Sequence, residues 1–209
     1  MADWIVQPPG WFRSLLGRGT WRGDPSRKTV YLTFDDGPVP EQTPWVLDVL
    51  RRHGIRATFF CVGDNVRKHP DVFRQLTEAG HEVGNHTFNH LQYFRTAASR
   101  YLDNADRCSR IAGSPRLFRP PHGQMTPQAV ARLLRTFDKV VFWDVMPRDY
   151  DCRLTPQQVF DNVRRHVRNG SIIVFHDSVK AGDRMRHALE ASIEWLERNG
   201  YSFDTVGNI

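Results

Sequence analysis

Cysteine is scarce. Among 209 residues there are three, Cys61, Cys108 and Cys152, far apart and without a CxxC pair, which excludes a disulfide framework and a thiolate zinc knuckle. Long apolar runs are also missing. The longest, such as residues 140–143 and 172–175, are strand-sized, whereas a bilayer-spanning helix needs about 20 apolar residues. The first 22 residues mix Trp4, Trp11, Phe12 and Trp21 with Pro8, Pro9 and arginines and lack the apolar stretch of a signal peptide. A cytoplasmic location, or a peripheral one at a membrane surface, is therefore expected. There is no internal repeat, low-complexity tract or linker rich enough to split the chain.

Hydrophobic residues make up 40% and charged residues 25%, the composition of a globular domain with a core of its own. Lys and Arg outnumber Asp and Glu by 29 to 23, a net charge of +6. That balance suits nucleic acid, anionic lipid or anionic glycan, but the charge is spread along the chain and reads mainly as solvated surface. No nucleic-acid partner and no membrane span are expected, and a monomer is.

From Thr29 onward, short β-rich runs alternate with longer segments of helical spacing, the pattern of βα units around a parallel sheet. The expected strands are 29–34, 57–62, 81–84, 116–118, 139–143, 171–175 and 201–205. Helices are expected at 43–52, 70–79, 96–111, 127–135, 156–168 and 184–199. Thr43-Pro44, Thr126-Pro127 and Thr155-Pro156 pair an N-cap hydroxyl with proline at the first helical position, and Gly54, Gly80, Gly113, Gly170 and Gly200 fall where helices end. Seven strands is a barrel-sized count. Residues 1–28 read as an aromatic and basic extension packed on a domain formed by 29–209.

The unusual polar residues fall just after strand ends, which share one rim in a parallel barrel. Asp35 and Asp36 close the first strand. Neighbouring strand side chains point to opposite faces, so two adjacent carboxylates suit two tasks, one binding a cation and one accepting a proton; an Asx-turn is the plain alternative. His86 and His90 are four residues apart, so on one helical turn both imidazoles would reach one ion. Two His and one Asp leave coordination positions open, as a catalytic metal requires. Zinc is the simplest occupant, with cobalt, nickel or manganese able to use the same ligands. Arg119, followed by Pro120-Pro121-His122-Gly123, can orient a carboxylate. Asp144 or Asp149 could clamp Arg119 or an imidazole, and His176, ending an apolar strand, can donate a proton.

Taken in order, T-F-D-D-G-P (33–38), H-T-F-N-H (86–90), R-P-P-H-G (119–123), R-D-Y (148–150) and V-F-H-D (174–177) resemble the polysaccharide deacetylases of the NodB-homology type. The resemblance runs from about Thr29 to the end. It implies a distorted (β/α)7 barrel and metal-dependent removal of N-acetyl groups from a glycan containing N-acetylglucosamine, such as chitin or peptidoglycan. It further implies that Asp36, His86 and His90 hold the metal, Asp35 is the general base and His176 the general acid. Arg119 would orient Asp35, Asp149 would orient Arg119, Thr87 would brace the histidine loop, and the His122 N–H would meet the oxyanion. Three blocks depart from the family pattern: His122 replaces a Tyr or Phe, Met146 and Tyr150 fall in a block that usually reads D-x-x-D-W, and Val174 replaces Leu. The last two changes reshape the acetyl pocket and groove wall.

Three other readings stay open on the sequence. An amidase for a small amide would use the same barrel with a lidded pit instead of a trough. A non-haem iron oxygenase shares the two-His, one-carboxylate set. A non-catalytic glycan-binding module would fit the charge and the aromatics.

Overall fold

The computed structural model describes residues 4–209; positions 1–3 of the expected extension lie outside the described residues. Helix α1 (Gly10–Leu15) precedes β1 (Thr29–Asp35), α2 (Thr43–Arg52), β2 (Thr58–Cys61), α3 (Gly63–Lys68), α4 (Pro70–Glu78), β3 (Glu82–Asn85) and α5 (Ala98–Ile111). Then follow β4 (Leu117–Phe118), α6 (Pro127–Leu133), β5 (Lys139–Val140), α7 (Pro156–His166), β6 (Ile172–His176), α8 (Gly182–Arg198) and β7 (Ser202–Phe203). All the strand pairs are parallel, in the order β5-β4-β3-β2-β1-β6, with β7 paired to the start of β1.

Between β5 and β6 the ladder is broken, and this is the distortion of the barrel. Residues of the N-terminal segment sit in that seam: Thr20 pairs with Val141 and Arg22 with Ser171, while Val145 bridges to Ile173. Strand 139–143 is thus shorter than its sequence suggests, because Val141 and Phe142 bond to Thr20 and to Phe118 instead of continuing a regular ladder. Helices α1 and α3 are short and had no periodic signal strong enough to mark them.

Strand alternation builds two apolar layers. Val30, Leu32 and Phe34 of β1, Phe59 and Cys61 of β2, and Ile173 and Phe175 of β6 pack beneath the helices, against Val46 and Leu50 of α2 and Leu189 and Ile193 of α8. The i, i+4 and i, i+3 spacing of Met185, Leu189, Ile193 and Leu196 puts one stripe of α8 into that layer. The intervening residues Tyr31, Phe60 and Ile172 form a second cluster inside the barrel. Continuing the alternation up β1 and β6 puts Thr33, Asp35, Val174 and His176 on that same inner face, and Thr33 pairs with Val174 and Asp35 with His176 in register. Helix α7 starts on a complete capping box, with Thr155 accepting from the Gln158 N–H and the Gln158 side chain accepting from the Thr155 N–H.

Candidate active site and metal centre

The inner face of β1 ends at Asp35, whose Oδ1 accepts from Arg119 Nη1 at 2.7 Å. Arg119 follows β4 and is fully buried. Its guanidinium lies over the Phe60 ring and also donates to Thr33 Oγ1 and to the Phe142 carbonyl. Burial lowers the pKa of this guanidinium, and the adjacent carboxylate works against that shift. The other oxygen of Asp35, Oδ2, faces His86 Nε2 at 4.0 Å.

Asp36 would point away from Asp35 in a regular strand. Its positive φ of 82° turns the chain there, so both carboxylates serve one cavity. Several groups hold this costly turn. Asn65 donates to the Asp36 carbonyl at 2.7 Å, and the Gly37 N–H donates to Asp177 Oδ1 at 3.0 Å. Asp177 Oδ2 in turn accepts from Thr43, whose hydroxyl also accepts the Val39 N–H. A Cβ on Gly37 would lie 2.0 Å from Asp177 Oδ2. Burial pushes the Asp177 carboxyl up to about 8. Thr43, Asn65 and Asp177 act on the site only through the Asp36 turn; Asn65 lies in none of the motifs, and the V-F-H-D block that holds Asp177 and the helix-start signal at Thr43 gave no hint of this role.

His86 and His90 do not share a helical turn. They lie on an irregular loop after β3, where Thr87 and His90 take positive φ; Thr87 helps shape it by accepting the Leu91 N–H on its hydroxyl. The spacing therefore brings the two rings together by a loop and not by helical geometry, with centroids 5.0 Å apart.

Asp36, His86 and His90 offer ligand atoms that all lie within 4.8 Å of one another. Their chemistry fits a cation. His86 Nδ1 sits 2.8 Å from the Arg119 carbonyl, which can only accept, so Nδ1 carries the proton and Nε2 presents a lone pair. That lone pair faces Asp36 Oδ1 at 3.8 Å as well as Asp35. Burial lowers His86 to about 4, so it stays neutral. Asp36 Oδ1 is buried and makes no hydrogen bond, although His90 Nε2 is 3.2 Å away. Acceptor atoms converging without a donor need a positive charge between them.

On the other side of the cavity His176 Nδ1 is 2.8 Å from Asp149 Oδ1, and the His176 backbone N–H donates to Asp149 Oδ2 at 2.7 Å. Burial opposes the imidazolium, but the Asp149 charge and hydrogen bond, joined by Asp36 and Asp35, outweigh it and raise His176 to about 9. Asp149 therefore orients His176 and makes no bond to Arg119, correcting the expected role. The chain reaches Asp149 from the β6 side of the barrel, beside His176, while Arg119 spends its three hydrogen bonds on Asp35, Thr33 and the Phe142 carbonyl. Asp144 takes no part in the cavity; it is bound by Arg13, Arg168 and Ser171.

Tyr150 stands edge-on to His176, with centroids 5.0 Å apart. His122, at φ 60°, packs edge-on against His90 at 4.6 Å, and burial lowers its pKa. Val174 is buried beneath this layer. The structure thus gathers Asp35, Asp36, His86, His90, Arg119, His122, Asp149, Tyr150 and His176 at one rim, with Val174 just under it.

The sequence profile of polysaccharide deacetylases matches residues 22–137. The chain belongs to the polysaccharide deacetylase family. It is 32% identical, over 92% of its length and 93% of the relative's, to a peptidoglycan-N-acetylglucosamine deacetylase of Bacillus cereus. It is 36% identical to a chitooligosaccharide deacetylase of Bradyrhizobium sp., covering 83% of this chain and 87% of that one. The solved Bc1960 peptidoglycan N-acetylglucosamine deacetylase superposes with a TM-score of 0.84 at 28% identity, covering 95% of this chain and 94% of the other. As a deacetylase of this family the protein is a hydrolase, and its parallel α/β barrel is the NodB-type fold.

Proposed function

We propose that this deacetylase removes N-acetyl groups from N-acetylglucosamine units of a polysaccharide or oligosaccharide, peptidoglycan-like or chitin-like, with a divalent ion held by Asp36, His86 and His90. Zinc suits two imidazoles and one carboxylate best, and cobalt, nickel or manganese can use the same set. Such an ion supplies Lewis acidity toward water and toward the amide carbonyl.

The observation that carries the proposal is the flanking of this ligand set by a carboxylate on one side and a carboxylate-bound imidazole on the other. Asp35 is held by Arg119 through one oxygen and turns the other to the cavity, where it can take a proton from water. His176, protonated at neutral pH and locked at Nδ1 by Asp149, keeps Nε2 to deliver a proton to the departing amine. Two groups poised in opposite protonation states are what amide hydrolysis requires. The left-handed backbone at His122 suits its N–H to a developing oxyanion. Tyr150, edge-on to His176, stands where it lines the approach for the acetyl group.

The test is acetate release from chitooligosaccharides and peptidoglycan, before and after chelation and after zinc is restored. Turnover should vanish with chelator and return with metal; release indifferent to chelator would refute the proposal. Asp35→Asn should keep its metal and lose about 10² to 10⁴ in turnover, the range of a general base.

A further inference from the structure

The described residues include seven exposed large hydrophobics, and four of them lie between positions 4 and 15: Trp4 at 48% exposure, Ile5 at 44%, Trp11 at 65% and Leu15 at 60%. They are neighbours in space. Trp11 and Leu15 are one turn apart on α1, so they share a face, and Phe12 contacts both Trp4 and Trp11 edge-on at 6.0 Å. This surface does not belong to a loose tail. Val6 and Leu16 are buried in the core, Arg13 pairs with the buried Asp144 at 2.6 Å, and the Val6 carbonyl accepts the Met146 N–H at 2.8 Å. An apolar face held rigidly outward is the mark of an interaction surface.

Its electrostatic setting points to the partner. Residues 4–22 hold three arginines and no acid. Arg13, Arg22 and Arg168 surround the single carboxylate of Asp144 closely enough to influence one another, a local excess of two positive charges, and the exposed Arg18 adds a third. Tryptophans with aliphatic side chains beside arginine suit the boundary between acyl chains and anionic headgroups. Ile5 and Leu15 have no flat face to stack on a sugar, which sets this patch apart from a glycan platform.

We infer that the N-terminal segment docks the protein on an anionic lipid surface. The Ile5 carbonyl accepts from Trp143 Nε1, and the Trp143 ring packs against Gly123, next to His122. Docking by residues 4–15 therefore holds the mouth of the cavity close to the lipid headgroups.

Co-sedimentation of the full chain with vesicles tests this without any turnover, so its outcome is separate from that of the proposed deacetylation. The protein should pellet with phosphatidylcholine/phosphatidylglycerol vesicles, far less with phosphatidylcholine alone, and less as salt rises. Combining Trp4→Ser, Trp11→Ser and Leu15→Ser should weaken vesicle binding at least about tenfold, given the apolar area removed. Arg18→Glu should weaken it by about fivefold or more, the effect of a charge near an anionic surface. All these side chains are exposed, so thermal melting should match the parent, as should turnover of a soluble chitooligosaccharide. Failure to bind anionic vesicles, or binding unmoved by the triple variant in a folded protein, would overturn the inference. So would a triple variant that lost affinity for soluble chitooligosaccharides but not for vesicles, which would make the patch a glycan surface.

Discussion

Replacing Asp149 by Asn tests how the imidazole is charged. The carboxylate accepts two hydrogen bonds from His176, one from the ring and one from the backbone N–H, and supplies the nearest negative charge. An amide has one oxygen for those two donors, so its NH2 must face either the ring nitrogen or the backbone N–H. In both orientations the imidazolium loses its charge partner. The rise of His176 from 6.5 to about 9 corresponds to roughly 3 kcal/mol, at about 1.4 kcal/mol per unit. His176 and Asp149 are almost completely buried, so solvent screening removes little of this. The sign follows from the folded pKa lying above the unfolded value. This stabilisation is complete below about pH 6.5 and is lost as the pH rises through about 9. In the metal-free protein the unfolding free energy should therefore fall by roughly 3 kcal/mol across that window from this group alone, and Asp149→Asn should abolish the slope. NMR titration of His176 in metal-free protein, with denaturant unfolding at several pH values, measures both quantities. A His176 that titrates near 6.5 in the parent, or keeps its parental value in Asp149→Asn, would refute the assignment. A divalent cation in the neighbouring site opposes the imidazolium, so the loaded enzyme should titrate lower. Turnover by Asp149→Asn should fall about 10²-fold or more, as expected when a general acid is no longer protonated.

His86→Ala should lose bound metal by elemental analysis as well as activity, and an unchanged metal content would contradict the ligand set. Thr43→Val removes the hydroxyl between Val39 and Asp177 without touching the cavity; it should cost about 1–3 kcal/mol in denaturant unfolding. If the Asp36 turn depends on that hydroxyl, calorimetric metal affinity should also drop about 10- to 100-fold, the usual weight of an outer hydrogen-bonding partner. Gly37→Ala should be worse, because its Cβ meets a carboxylate that Thr43 and the Gly37 N–H hold in place; a loss of about 1–3 kcal/mol is expected from overpacking, and parental stability with parental metal affinity would count against a rigid turn.

Much of the barrel was legible from local signals. Thr126-Pro127 and Thr155-Pro156 marked the starts of α6 and α7, where both hydroxyls cap the helix, whereas Thr43 opens α2 without capping it and binds Val39 and Asp177 instead; the short apolar runs of β1 and β6 marked strands buried on both sides. The shortness of β5 was not legible, because Val141 and Phe142 are as β-prone as any strand and only the arrival of Thr20 diverts their hydrogen bonds. Nor was the seat of residues 20–22 in the barrel seam, which depends on a pairing partner more than 100 positions away. The His86 to His90 spacing suggested a helix; the positive φ at Thr87 and His90 made it a loop, since the loop is shaped by tertiary hydrogen bonds and not by propensity.

The order of residue types along the chain determined on its own which groups could do chemistry: Asp35 and His176 each close a β-prone run, and strand ends collected the acids and imidazoles. What only the folded molecule decided was partnership. Asp149 could have clamped a guanidinium or an imidazole by its chemistry, and the path of the chain beside β6 gave it to His176. Asp36 would have faced away from Asp35 in any extended strand, and the contacts of Asn65, Gly37 and Asp177 turned it back. Side-chain chemistry is carried by each residue separately, but a pKa, a tautomer or a ligand set depends on distances between residues far apart in sequence, and only packing sets those distances.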